Sequence, residues 1–204
     1  IKGLHGNNID SDIKTERTAH DLNMKIVLGA IVLIILAIAV FPDIPVSFLG
    51  AVLIAVFGFF FSAVSSRMVG LVGGSNNPVS GMAIATLLFA TMVLKSTGDN
   101  GTHGMTGAIA IGSIICIIAA MSGDTSQDLK TGYILGATPR RQQLGEVIGA
   151  AVSAVTIGGV MLLLDSAWGF GSTELSAPQA TLMKMIVEGV MDGNLPWTLV
   201  WIGV

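Results

Sequence analysis

Long stretches without a charged side chain alternate with short polar ones along this sequence. Residues 26–42, 44–66, 68–94, 100–123 and 147–164 contain no Asp, Glu, Lys or Arg. An α-helix rises about 1.5 Å per residue, so about 20 apolar residues cross a hydrocarbon layer. Each window is close to that length, the first and last a little short. The pattern predicts crossings over about 26–41, 46–64, 79–94, 106–121 and 144–164, with a sixth over 196–204 that Pro196 has only just begun. Pro42-Asp43-Ile44-Pro45 cannot continue a helix and makes the turn between the first two. Residues 1–25 are polar and charge-dense, as suits an aqueous tail. The piece from Pro178 to Met191 is amphipathic and carries Lys184 and Glu188, which predicts a helix lying in the membrane interface. The expected fold class is all-α, a polytopic transmembrane helical bundle. Lacking an initiator Met and stopping inside a helical pattern, the sequence reads as a piece of a longer protein.

Composition agrees with that picture and removes other classes. Hydrophobic residues make up 52% of the chain and charged ones 11%, and the mean hydropathy is +0.78; a signal peptide supplies one apolar window, not five. A net charge of −3 gives no basic field for nucleic acid. Cys116 sits alone in Ile114-Ile115-Cys116-Ile117-Ile118, and His5, His20 and His103 are far apart. No metal site or cofactor is therefore expected from this chain.

The cations set a side. If the helices alternate, Lys2, Lys14, Arg17, Lys25, Arg67, Lys130, Arg140 and Arg141 share one face of the membrane and Lys95 and Lys184 the other, eight against two. Cytoplasmic loops retain Lys and Arg. Residues 1–25 and 122–143 are accordingly expected in the cytoplasm, in a multi-pass protein of the cell membrane.

Two polar segments carry candidate chemistry. Gly73-Gly74-Ser75-Asn76-Asn77-Pro78-Val79-Ser80-Gly81 is uncharged yet built from helix breakers. Backbone polar groups in lipid need partners, so irregular chain there is buried in protein or lines a wet cavity. This predicts a discontinuous, re-entrant helix element, with Gly74, Ser75, Asn76, Asn77, Pro78 and Ser80 at a substrate site. Pro78 suits the first helical position and Asn76 or Asn77 the cap, leaving an electropositive helix end toward an anionic or carbonyl-bearing ligand. The bland alternative is an ordinary capped helix start in a loop beside Arg67.

The second segment, Gly123-Asp124-Thr125-Ser126-Gln127-Asp128-Leu129-Lys130-Thr131-Gly132, follows an apolar run directly. Its carboxylates, four apart, would share a helix face with Lys130 near enough to pair. A carboxylate at the end of a crossing can carry protons, and a solvated cap and turn is the competing reading. Glu146, in the first turn of a helix starting at Leu144, reads as structural because an anion is favoured there. Gly145, Gly149 and Ser153 form a small-residue face for helix contact. The run Phe57-Gly58-Phe59-Phe60-Phe61 is core or lipid-facing surface.

Ser65-Ser66-Arg67-Met68-Val69-Gly70, the 74–82 segment, the 123–132 segment and Gly136-Ala137-Thr138-Pro139-Arg140-Arg141-Gln142-Gln143 together closely resemble the oligopeptide transporter (OPT) family, which includes the yellow-stripe-like metal-chelate carriers. Gly169-Phe170-Gly171 and Ala177-Pro178-Gln179-Ala180 are similar to its prokaryotic members. The resemblance covers nearly all of the chain after about residue 22. It implies a secondary transporter, coupled to protons, that takes up small peptides or peptide-like metal chelates as a symport. It also implies that 76–81 belongs to the pathway and that Asp124, Gln127, Asp128 and Lys130 belong to a gate or coupling element. The implied partners are the lipid bilayer, the substrate, protons and the remaining segments of the same transporter, with a homo-oligomer left open.

Two other classes compete. A channel would use a broken helix such as Asn77-Pro78, but known pores of that kind use two. An intramembrane protease would need a base for Ser80, and only His103 lies near in sequence, across a helix. No enzyme is expected.

Overall fold

In a computed structural model, residues 17–42, 44–74, 76–99, 101–194 and 198 are described. Six α-helices follow a short 3-10 turn at Arg17–Ala19: α1 (Met24–Val40), α2 (Phe48–Val72), α3 (Val79–Ser96), α4 (Thr102–Ile134), α5 (Pro139–Trp168) and α6 (Pro178–Met191). There is no strand among the described residues, and five helices are long and apolar enough to cross a membrane. The chain is an all-α polytopic bundle. Local chemistry sets several ends: the Asn23 side chain accepts from Lys25 N, and Gly73, at φ 75°, closes α2 with its N–H on Val69 O.

The bundle is organised around α4. The Ser122 hydroxyl donates to Ser62 Oγ (2.9 Å), Ser126 Oγ to Ser66 O (2.8 Å) and Lys130 Nζ to Gly70 O (2.6 Å). Each pair is separated by 60 residues, so α2 and α4 run parallel in a fixed register. Small residues let them approach: a Cβ on Gly58 would lie 3.0 Å from Ile118 Cδ1. α3 runs antiparallel to α4, with Leu87 against Gly112 and Leu94 against Gly107. The core gathers Ala51 and Ile54 of α2, Leu87 and Ala90 of α3, Ala108 and Ile111 of α4, and Val187 of α6. α1 packs more lightly, through Ile35 and Ile38. α5 touches chiefly α4 and has no buried residue.

Several sequence expectations change. The second crossing does not end at 64, and the fourth does not end at 121; α2 continues to Val72 and α4 to Ile134. Ser62, Ser66, Ser122, Ser126 and Lys130 bond across the helix pair rather than turning the chain out to water. The polar loop expected over 122–143 shrinks to residues 135–138, because Pro139 opens α5 five residues earlier than Leu144. The amphipathic helix expected over 178–191 is present as α6; it packs along α3 and α4, burying Val187, Val190 and Met191 and keeping the Lys184–Glu188 pair (3.5 Å) outward. Lys95 Nζ donates to Val190 O at 2.8 Å. At about 21 Å its length falls short of a crossing. The helix expected over 196–204 lies outside the described residues, Thr198 apart.

A side chain at Gly107 would place its Cβ 2.7 Å from Pro45 O, on the turn joining α1 to α2. Gly107→Leu in the full-length protein is expected to cost about 1–3 kcal/mol through overpacking. Fluorescence-detected size exclusion after a heat step would read this as a clear fall in the midpoint of the monodisperse peak.

Candidate functional site

Beyond Gly73 the chain turns back on itself before α3 begins at Val79. What holds this return is Asn77. Its Nδ2 donates to Ala119 O at 2.9 Å and to Ser65 Oγ, while Ser65 Oγ donates to the same carbonyl. Ser65 is wholly buried. One turn further along α4, a Cβ on Gly123 would lie 3.0 Å from Asn77 Nδ2, 3.1 Å from Val69 Cγ2 and 3.2 Å from Ser65 Oγ, so the glycine keeps room for the lock.

The register gives this arrangement a depth. A constant offset of 60 sets the end of α2 level with about Gly132 of α4, whereas Asn77 sits at Ala119. Ala119 is near the middle of Thr102–Ile134, about 25 Å from its start and 22 Å from its end. The unwound segment is therefore beside the middle of the longest helix, where the uncharged window of α4 gives way to Asp124.

The sequence-predicted site residues divide here. Asn77 does not cap α3, because its side chain is engaged with Ser65 and Ala119. Pro78 occupies the cap position rather than the first helical one, and α3 starts with no side-chain cap. Asn77 Oδ1 is buried and has no hydrogen-bond partner among the described residues. Gly74 is half-buried, Asn76 and Pro78 are exposed, and Ser75 lies outside the described residues. Ser80 lines a cavity of about 590 Å³ together with Leu87 of α3, Ser113 and Cys116 of α4, and Gln179 and Lys184 of α6. The α6 wall of that cavity was invisible in sequence, because Gln179 and Lys184 meet Ser80 and Cys116 only through the tertiary fold.

The 123–132 segment is a continuous part of α4. Lys130 does not pair with Asp124 or Asp128; its ammonium caps the Gly70 carbonyl of α2, and among the described residues no ion pair joins it to either carboxylate. A bare carbonyl near the end of α2 attracts a cation better than exposed carboxylates hold one. Asp124 and Asp128 are exposed, and the Asp128 carbonyl accepts from Gln142 of α5. Gln127 is partly buried. Glu146 departs from the sequence reading in its place on the helix. With α5 starting at Pro139 it falls outside the first turn, and its Oε1 is buried without a hydrogen-bond partner among the described residues. The Gly145 and Gly149 face meets nothing within 4 Å among the described residues.

The same end of the bundle collects the cations. Arg17 Nη2 donates to Gly136 O at 2.8 Å, Arg140 N to His20 O at 2.9 Å and Leu22 N to Gln143 Oε1 at 2.9 Å. The 17–22 segment thus docks on the α4–α5 turn. No group of three or more His, Cys, Asp or Glu residues that could hold a metal occurs among the described residues. Ser80 and His103 stand at different levels of α4, about 20 Å apart along its axis, with His103 engaged by Asp99 at 3.2 Å. They do not form a nucleophile–base pair.

Comparison with known proteins gives one family. The sequence profile described as OPT oligopeptide transporter protein matches residues 5–204. A Haemophilus influenzae protein named "Putative oligopeptide transporter" is 40% identical over 171 residues, 74% of this chain and 27% of its own length. The yeast Saccharomyces cerevisiae protein named "Putative oligopeptide transporter YGL114W" is 33% identical over 122 residues, 59% of this chain and 16% of its own. A rice protein named "Probable metal-nicotianamine transporter YSL10" is 30% identical over 112 residues, 52% of this chain and 16% of its own. The chain thus spans about a quarter or less of the length of these relatives. No solved structure matches.

Removing the lock has a measurable consequence. Asn77→Ala deletes two donated bonds around Ser65 and Ala119 and is expected to cost about 1–2 kcal/mol, near the upper end for polar contacts between membrane helices. Lys130→Met, which leaves the Gly70 carbonyl uncovered, is expected to cost about 1 kcal/mol. Thermal unfolding of the two full-length variants in detergent checks the order, and equal midpoints with the wild type would remove the lock.

Proposed function

The chain belongs to the OPT oligopeptide transporter family, and we propose that it is part of a proton-coupled secondary transporter for small peptides or peptide-like metal chelates. The observation that carries this reading is the unwound 73–78 segment held at Ala119 by Asn77, beside the middle of α4. Secondary transporters build substrate sites from discontinuous helices, whose N-terminal dipole ends face anionic or carbonyl groups. Here α3 starts without a side-chain cap, and Ser80 in its first turn lines a cavity of about 590 Å³. A peptide carboxylate or chelator carboxylate fits the electropositive helix end, and the Leu87 and Cys116 walls fit apolar substrate atoms.

On this reading Gly74, Ser75, Asn76, Asn77, Pro78 and Ser80 form the pathway element. Asn77 sets the position of the segment, while Asn76 and Ser80 contact substrate. Asp124, Gln127 and Asp128 belong to the gate on the α4 side. Lys130 contributes by tying the end of α2 to α4, so that any movement of one helix is felt by the other. The remaining segments of the transporter, the bilayer and a possible second copy complete the site.

Grouping of Arg17, Arg140, Arg141, Lys130 and Arg67 at one end supports a cytoplasmic location for residues 1–25 and the 122–143 region in the cell membrane. Lys95 lies at the opposite end, beside α6.

The deciding measurement is uptake by the complete protein in proteoliposomes, with and without an inward proton gradient, across a panel of short peptides and metal chelates. Saturable accumulation that needs the gradient is expected, reduced about tenfold or more in an Asn77→Ala, Pro78→Ala variant. Non-saturable flux indifferent to the gradient would establish a channel instead.

A further inference from the structure

Coupling requires a side chain that binds a proton where one solution reaches it and releases it to the other. Asp124 and Asp128 are exposed to solvent, a poor setting for a proton that must travel with substrate. We propose that Glu146 is the side chain that carries the coupling proton, an assignment that rests on the transport reading above.

Three features of the structure carry it. Glu146 lies seven residues after Pro139, beyond the first turn of α5, so the helix dipole does not hold its charge. Glu146 is only partly buried as a residue, but its Oε1 is shut off from water and has no hydrogen-bond partner among the described residues. An ionised carboxylate oxygen in that state is costly, and a proton on the carboxyl removes the cost. Finally, it faces α4: it lies one turn after Gln142, whose side chain donates to the Asp128 carbonyl, and Thr125 and Asp128 are its polar neighbours there.

Among the described residues no cation forms an ion pair with it. Lys130 is committed to the Gly70 carbonyl, on α2. The 17–22 segment brings Asp21, which engages Gln143, and His20, whose carbonyl takes the Arg140 N–H at the start of α5. Among the described residues the two recorded ion pairs are His103–Asp99 and Lys184–Glu188, both elsewhere. Glu146 thus stands as a carboxyl between one hydroxyl and one like charge.

Its position relative to the substrate segment suggests how the two communicate. Gly123 meets Asn77 on one face of α4, and Thr125 meets Glu146. Residues two apart on a helix point to nearly opposite sides, so α4 separates the proton site from the unwound segment by its own thickness. A rotation of α4 that opens one contact disturbs the other. The step itself is a proton transfer alone: a hydrated proton binds the Glu146 carboxylate, travels as the neutral acid, and leaves as a hydrated proton on the other side.

The test uses the full-length protein in proteoliposomes, with tritiated trialanine and an iron–nicotianamine chelate as probes. Wild type, Glu146→Gln and Glu146→Asp are compared, with Glu174→Gln as a control at an exposed carboxylate. Glu146→Gln is expected to lose gradient-driven accumulation about tenfold or more while equilibrium exchange stays within about twofold of wild type. Glu146→Asp is expected to keep accumulation with a displaced pH profile. In pH-difference infrared spectra of the purified protein, a protonated-carboxyl band present in wild type should vanish in Glu146→Gln, whether or not the probes move. Gradient-driven accumulation that survives in Glu146→Gln, or an unchanged band, overturns the assignment alone. A wild type that accumulates neither probe overturns the transport reading and the coupling role with it. A Glu146→Gln protein with a collapsed size-exclusion profile transfers the decision to Glu146→Asp, whose unshifted pH profile would also overturn the proposal.

Discussion

Polypeptide removed from water must satisfy every backbone donor and acceptor within the protein, and the contact between α2 and α4 is where this chain meets that demand. Two parallel helices in a register of 60 residues bring Ser62, Ser66 and Gly70 onto Ser122, Ser126 and Lys130. This pairing carries polar groups that would otherwise end both helices. It also creates the level at which the chain can break: the carbonyl of Ala119 accepts from both Ser65 and Asn77, and an irregular stretch becomes tolerable because its anchor is already bonded.

From that constraint the rest of the geometry follows. The return through residues 73–78 sets the start of α3 beside mid-α4 rather than beyond the bundle, and α3 then descends against Gly112 and Gly107. α6, a half-length helix, fills the remaining side with Val187 and Met191 and leaves the cavity bordered by Ser80. On the other side of α4, α5 is tied down near Gln142 and Glu146 and otherwise presents an uncovered face. α4 therefore stands between the unwound segment and the partly buried carboxyl. A single helix in contact with both ties the two positions together mechanically, since any movement of it must change two sets of contacts.

Small residues make this possible. Gly123 is the clearest instance: the room left by its missing side chain is taken by Asn77, Val69 and Ser65. A packed interior with two discrete arrangements transmits small shifts because it does not deform smoothly. The serines add bonds that are individually weak between membrane helices.

Sequence alone determined that this chain is a helical membrane protein of the OPT family, because uncharged windows of crossing length and long polar motifs are local features written in residue order. It also marked the 73–78 segment, since Gly, Asn and Pro break helices whatever surrounds them. What only the tertiary structure decided is how far polar residues belong to helices. Ser65, Ser66 and Lys130 read as loop chemistry until a second helix supplies their partners, and Asn77 reads as a cap until Ser65 and Ala119 claim its side chain. Likewise Glu146 reads as a first-turn anion until Pro139 moves the start of its helix. Partners far apart in the chain leave no periodic trace, so hydrogen bonding across 42 to 60 residues could be known only after the helices were placed side by side.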